Sequence, residues 1–276
     1  MAGVVTAVLS GGGVKTAAQL GALEVLAEHG CVPTRYVGTS MGAVVAAVLA
    51  AGLSLDEAIH RLGSIGKERV AAIDRTAFVK GIFARSFLKG EPLRETLGSL
   101  LPVQRFADLV LPLSVVTADL DSGDLVVFGA GGEDAPLADA LAASCALPVF
   151  YPPVEIGGRR LADGGLRAVL ALDVAVGFPA DRVVAVDVGP GFDSEPSRDR
   201  SLPALLSAHN DAQHVLMASN TALQVALWRA TPGRPPLLYL RPRVHRGETF
   251  ALERIEEYRE EGRRAAREMV ANGFLT

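Results

Sequence analysis

The chain opens with an unbroken apolar, β-branched run, Val4-Val5-Thr6-Ala7-Val8-Leu9, which stops at Ser10-Gly11-Gly12-Gly13. A strand with one face in water would alternate polar and apolar residues. This one does not, so it is predicted to be buried on both faces, as in a parallel sheet covered by helices. The period then changes. Leu20, Leu23, Leu26 and Ala27 recur at helical spacing and end at Gly30, a residue suited to a helix C-terminus. Tyr36-Val37-Gly38 reads as a second short strand, and Gly42 to Ala51 is apolar almost all round, which predicts a deeply buried helix. A strand–helix–strand–helix opening of this kind builds parallel strands in an α/β fold.

The pattern continues with a helix from Ser54 to Leu62, capped by Ser54 with Glu57 at the third position. Thr76 to Gly90 carries Phe78, Ile82, Phe83, Phe87 and Leu88 without a clean period and is expected to be lid-like. Glu91 to Leu101 and Pro136 to Ala146 read as helices, and Leu113 to Ala118 and Leu125 to Phe128 as strands joined by an Asp-Ser-Gly-Asp turn. Val154 to Ile156 and Arg160-Leu161 flank Gly157-Gly158 as a small hairpin. Val183 to Val188 is a late core strand, and Gly189 to Ser201 a surface loop rich in Gly, Pro, Asp and Ser. Leu202 to Ala230 is largely helical and Leu237 to Leu240 a last strand. Leu252 to Asn272 is a charged amphipathic helix with alternating Glu and Arg, expected to present a solvated face. With no internal repeat, residues 1–276 are read as one domain.

Composition narrows the function classes. Hydrophobic residues at 49% and charged residues at 21% argue against disorder, and a net charge of −4 removes any general attraction to nucleic acid. Cys31 and Cys145 are expected to be buried free thiols. The start of the chain lacks a basic signal-peptide region, and the longest apolar stretch, Gly42 to Leu53, is too short to span a bilayer. The expectation is a cytoplasmic protein whose membrane contact, if any, is peripheral. No metal or cofactor is expected, and the sequence leaves the oligomeric state open.

Three segments carry candidate chemistry. Gly38-Thr39-Ser40-Met41-Gly42 follows a strand and opens a helix, the setting in which a tight turn presents a serine at a helix N-terminus. Ser10-Gly11-Gly12-Gly13-Val14-Lys15 also lies between a strand and a helix, where successive glycine amides converge on an anion or oxyanion. It meets neither the phosphate-loop pattern nor the dinucleotide fingerprint, since Thr16 stands where the last glycine would be. Asp163-Gly164-Gly165 alone is an ordinary turn. Beside Ser40, its carboxylate becomes a candidate base, because a serine hydroxyl cannot attack an ester at neutral pH without losing its proton. A histidine base from His209, His214 or His245 would give the Ser…Asp…His order of α/β-hydrolases, but no local feature marks any histidine and the serine turn comes after only two strands.

The order Gly-Gly-Gly-x-Lys, Gly-x-Ser-x-Gly, Asp-Gly-Gly resembles the patatin-like phospholipase family. Ala143-Ser144-Cys145-Ala146-Leu147-Pro148 and Lys89-Gly90-Glu91-Pro92-Leu93 add to the resemblance, which runs from Val4 to Ala168. It implies a three-layer α/β/α fold with a mostly parallel central sheet and a Ser–Asp dyad without histidine. Carried over, Ser40 is the nucleophile and Asp163 the base. Gly11, Gly12 and Gly13 form the oxyanion hole, Lys15, Gly38, Gly42, Gly164 and Gly165 support the motifs, and Ser144 and Pro148 are structural. The implied substrate is a lipid acyl ester: a phospholipid, lysophospholipid or neutral lipid. Separately from the resemblance, the Phe78–Leu88 segment reads either as an acyl-chain or membrane-facing surface or as an ordinary core helix. Alternatives are a non-catalytic lipid-binding protein of the same fold, an acyltransferase, and a Ser–His–Asp esterase. One departure stands out: the family usually has glycine after the basic residue of the oxyanion loop, and the β-branched Thr16 is expected to alter packing at the helix start.

Overall fold

The computed structural model describes residues 3–65, 86, 88–192, 204–244 and 252–273. Strand β1 (Val5–Leu9) lies at the centre of an eight-stranded sheet, parallel to β2 (Arg35–Thr39) on one side and to β7 (Arg182–Val186) on the other. Parallel pairing continues to β3 (Leu113–Asp119) beyond β2 and to β8 (Leu237–Leu240) beyond β7. Antiparallel pairs join β3 to β4 (Leu125–Gly129), β3 to β6 (Arg159–Asp163), and β6 to β5 (Val154–Ile156).

One edge of β3 is filled by β4 from Ser114 to Ala118. The other edge is shared: β2 occupies it from Leu113 to Val116, and β6 takes over at Thr117. Because β2 runs parallel to β3 and β6 antiparallel, the C-terminal ends of β2 and β6 meet head to head. This junction positions the site described below.

Period-two alternation assigns the two faces. Val5, Ala7 and Leu9 point into the larger core, which includes α1 (Ala17–Glu28), α2 (Met41–Ala50), α3 (Leu55–Gly63), α4 (Gly90–Ser99) and α5 (Leu137–Ser144). Val8, Val37, Val116 and Val183 point into a second core with α6 (Gly165–Ala168), α7 (Leu172–Ala175) and α8 (Ala204–Ala230). The result is the expected α/β sheet covered by helices on both faces.

Three expectations change. The late core strand ends at Val186, two residues early, because the chain turns at Asp187, whose carboxylate accepts the Gly189 amide at 2.9 Å. Gly189 is buried, so the expected surface loop begins inside the protein; residues 193–201 of it lie outside the described residues. The charged helix α9 (Ile255–Ala271) is not simply a solvated face. Its stripe Ile255, Tyr258, Gly262 and Ala266 is buried, and its backbone touches α1: a Cβ on Gly262 would sit 1.8 Å from the Ala18 carbonyl oxygen, and one on Gly21 1.9 Å from that of Arg259. Arg259 and Arg263 pair with Glu24 across this contact. Of the segment expected to be lid-like, Thr76 to Gly90, residues 76–85 and 87 lie outside the described residues; at its end the Leu88 amide donates to the Phe150 carbonyl and Gly90 opens α4. Cys31 and Cys145 are buried free thiols. Among the described residues no helix is long and apolar enough to cross a membrane.

Candidate active site

The turn at Ser40 is set by its flanking glycines. The chain leaves β2 and enters α2 so tightly that a Cβ on Gly38 would lie 2.4 Å from the Ala43 Cα, and one on Gly42 2.3 Å from the Ser10 carbonyl oxygen. Neither position tolerates a side chain. Ser40 itself takes φ 53°, ψ −133°, a conformation that L-residues adopt at a cost of about 1–3 kcal/mol. The strain lifts its side chain out of the sheet at the start of α2.

The shared edge of β3 brings the aspartate to it. Thr39 pairs with Val116 and Asp163 with Thr117, so Thr39 and Asp163 stand at adjacent rungs and Ser40, next after Thr39, meets Asp163. Ser40 Oγ donates to Asp163 Oδ2 at 2.8 Å, and the Gly165 amide donates to Oδ1 at 2.7 Å. Gly164 permits this approach, since a Cβ there would lie 2.2 Å from the Val116 carbonyl oxygen. Asp163 is buried, and desolvation pushes its carboxyl from the ordinary 3.8 up to about 6, against the opposing pull of the Gly165 amide and the Ser40 hydroxyl. A carboxylate tuned in this way is ionised at neutral pH and a stronger base than usual, so it can accept the serine proton.

Ser144, read from sequence as structural, joins the site directly. Its hydroxyl accepts the Ser40 amide at 2.8 Å and donates to the Val116 carbonyl at 2.7 Å. It thereby ties the strained residue to β3. The sequence marks Ser144 through the block it shares with the family, but not the two hydrogen bonds it makes. The Cys145 thiol lies beside Ser40 and Asp163, where burial and the nearby carboxylate push its pKa up and leave it unreactive.

The glycine loop abuts the serine: a Cβ on Gly11 would come within 3.1 Å of Ser40 Cβ. The Gly11 amide, however, donates to the Val169 carbonyl at 3.1 Å, which narrows the expected three-amide hole. Among the described residues no acceptor takes the Gly12 or Gly13 amide, and Gly13 has φ 63°. A buried scaffold holds the loop. Ser10 Oγ accepts the Val188 amide, Gln19 Nε2 donates to the Ser10 carbonyl at 2.8 Å, and Val188 packs where a Gly12 side chain would be. Behind Val188, Asp187 accepts from Tyr239 Oη and Arg241. Lys15 is buried in the 3₁₀ turn that follows the glycines. Thr16 does not crowd the helix start; it is helical, and its hydroxyl donates to the Gly13 carbonyl at 2.8 Å, closing the loop that glycine could not close.

Among the described residues no histidine hydrogen-bonds to Ser40 or Asp163. His29 Nδ1 instead pairs with the Val25 carbonyl at 2.8 Å, and His245 lies outside the described residues. Among the described residues no group of three His, Cys, Asp or Glu side chains could hold a metal ion.

A family model described as patatin-like phospholipase matches residues 7–176, which contain every motif above. The uncharacterized NTE family protein Rv1063c of Mycobacterium tuberculosis is 33% identical over 194 residues, covering 68% of this chain and 51% of the relative. Patatin-like phospholipase domain-containing protein 7 of Rattus norvegicus is 31% identical over 189 residues, covering 66% of this chain and 13% of the relative. The chain thus spans about half the length of the mycobacterial protein. Among solved structures, VipD from Legionella pneumophila superposes with TM-score 0.51 at 16% identity, over 99% of this chain and 67% of that one. The type III effector ExoU gives TM-score 0.51 at 15% identity, over 100% and 54%. These two share the fold alone. The family match spans more than half of the sequence, and with it the chain belongs to the patatin-like phospholipase family.

Proposed function

We propose that the protein is a serine acyl-ester hydrolase acting on lipids through a Ser40–Asp163 dyad. The observation that carries this reading is the 2.8 Å hydrogen bond from Ser40 Oγ to a buried carboxylate. Asp163 takes the hydroxyl proton as Ser40 Oγ bonds to the ester carbonyl carbon. The carbonyl oxygen becomes an oxyanion, stabilised by the Gly12 and Gly13 amides and the start of α2; such donors supply on the order of 3 kcal/mol each. The tetrahedral species then collapses: the ester C–O bond breaks, and the departing alkoxide takes the proton from Asp163. Water repeats the sequence on the acyl-enzyme, giving its proton to Asp163, and releases the fatty acid with Ser40 restored. Family membership supports a phospholipid, lysophospholipid or neutral lipid as substrate.

The test is turnover of a chromogenic short-chain ester and of a lipid panel. Ser40→Ala and Asp163→Asn are expected to abolish turnover, and His→Ala at each of the five histidines to leave it intact. A folded His→Ala variant without activity would overturn the dyad in favour of a Ser–His–Asp esterase. No turnover by the wild type on any ester would overturn the enzymatic reading. Products that form only when an acyl acceptor is added would identify a transferase.

A further inference from the structure

Helix α8 packs one stripe, Ala218, Thr221, Val225 and Trp228, onto the protein and leaves the opposite face uncovered. That outward face carries large apolar side chains. Leu216, Leu223 and Leu227 are 71%, 68% and 63% exposed, and Val215 56%. The small residues Ala212, Ser219, Ala222 and Ala226 are exposed among them. An exposed leucine is unremarkable singly, but a continuous row along a helix marks an interaction surface. The row has coiled-coil spacing: Ala212, Leu216, Ser219, Leu223 and Ala226 follow one another at steps of four, three, four and three. Leucine therefore alternates with a small residue along the seam, and each large side chain has a small neighbour one turn away. Ser219, at the middle of the seam, can return its hydroxyl proton to a backbone carbonyl one turn back, so a helix packed against it leaves no donor stranded.

We propose that this face docks a second copy of the same chain, α8 against α8 in antiparallel two-fold symmetry. Charge selects this occupant. Asp211 and Arg229 are the exposed charges of the described α8, and they lie 18 residues apart; the Arg229 guanidinium rests 5.9 Å from the centre of the Tyr239 ring of its own chain, at the edge of the exposed face. Eighteen residues are five helical turns, so both sit on the same edge of the apolar row, at opposite ends. A two-fold axis perpendicular to the helix near Asn220 keeps that edge on the same side and reverses its direction. It sets Asp211 of each copy beside Arg229 of the other. The same axis brings Leu216 level with Leu223 of the other copy, with Ser219 and Ala226 leaving room for both. A self-complementary patch of this kind is what a two-fold interface requires. A membrane surface fits less well, since interfacial helices carry rows of Lys and Arg beside aromatic residues. Among the described residues the exposed face has one Arg and no aromatic side chain.

The test is the oligomeric state of the full chain by sedimentation velocity across a concentration series. The wild type is expected to dimerise, and Leu216→Glu with Leu223→Glu to give monomers that keep the wild-type circular dichroism spectrum. Asp211→Arg places like charges together at both ends and is expected to weaken dimerisation about tenfold. Adding Arg229→Asp to it should restore the wild-type value, a rescue that damage to folding would not produce. Three results overturn the proposal: a wild type still monomeric at about 100 μM, where even a weak specific dimer forms, a dimer indifferent to the leucine changes, or a charge pair without rescue. If the protein is monomeric and its leucine variant loses flotation with zwitterionic or anionic lipid vesicles, the face belongs to lipid instead.

Discussion

Replacing Asp163 by Asn is expected to make the protein inactive and more stable at once. The amide keeps the shape of the carboxylate: its oxygen can still accept the Gly165 amide, and its nitrogen can donate to Ser40 Oγ, so the hydrogen bonds at 2.7 and 2.8 Å have replacements. What disappears is the cost of holding a charge in a buried site. Burial raises the Asp163 carboxyl from 3.8 to about 6, net of the two bonds that favour its ionised form. At about 1.4 kcal/mol per pKa unit, ionised Asp163 destabilises the fold by roughly 3 kcal/mol. Between these two values the folded protein binds a proton that the unfolded chain has released. Stability therefore falls as pH rises through that window and stays lower above it. Thermal unfolding of wild type and Asp163→Asn at pH 4 and pH 8 measures this. At pH 8 the variant should melt higher, by on the order of 5–10 °C for a chain of this size, and most of that gain should vanish at pH 4. A variant that melts no higher than wild type at pH 8, or higher by the same amount at both pH values, would refute the reasoning.

Three further outcomes rest on the same geometry. The acid limb of kcat/KM should have an apparent pKa of about 6, since Asp163 must be ionised to act as base; a limb near 4 would mean its burial does not tune it. Ser144→Ala leaves the Ser40 amide without its acceptor, so kcat should fall about 10- to 100-fold with KM little changed and stability reduced by about 1–3 kcal/mol; steady-state kinetics with thermal melts checks both. Ser40→Gly should be more stable than Ser40→Ala by roughly 1 kcal/mol in denaturant titration, because glycine removes the strain of φ 53° while both lack the hydroxyl.

Much of this protein is legible in its sequence for a local reason. Hydrophobic period reports burial within a few residues, so the apolar run from Val4 to Leu9 marks a strand covered on both faces, and the all-round apolar segment after Gly42 a buried helix. The glycines are equally local. Gly38 and Gly42 stand where the chain folds back on itself and a side chain would meet backbone. Such positions admit one residue type, and the motif spells them out. The serine turn therefore marks Ser40 as a candidate nucleophile, and beside it Asp163 as a candidate base.

Tertiary structure decided what depends on distant partners. Ser40 and Asp163 are 123 residues apart in sequence, and only the sharing of one edge of β3 by two strands brings them to 2.8 Å. The same holds for Gly11, whose amide is taken by Val169, and for Ser144, whose hydroxyl links the serine turn to β3. Periodicity could not tell which neighbour covers each face: α9, an amphipathic helix with a charged face, is pressed onto α1 at Gly262, while the leucines of α8 face outward. A sequence pattern sets the period of a helix and where its apolar residues fall. Which neighbour meets each face is settled only when the whole sheet has closed and its helices compete for the same surface.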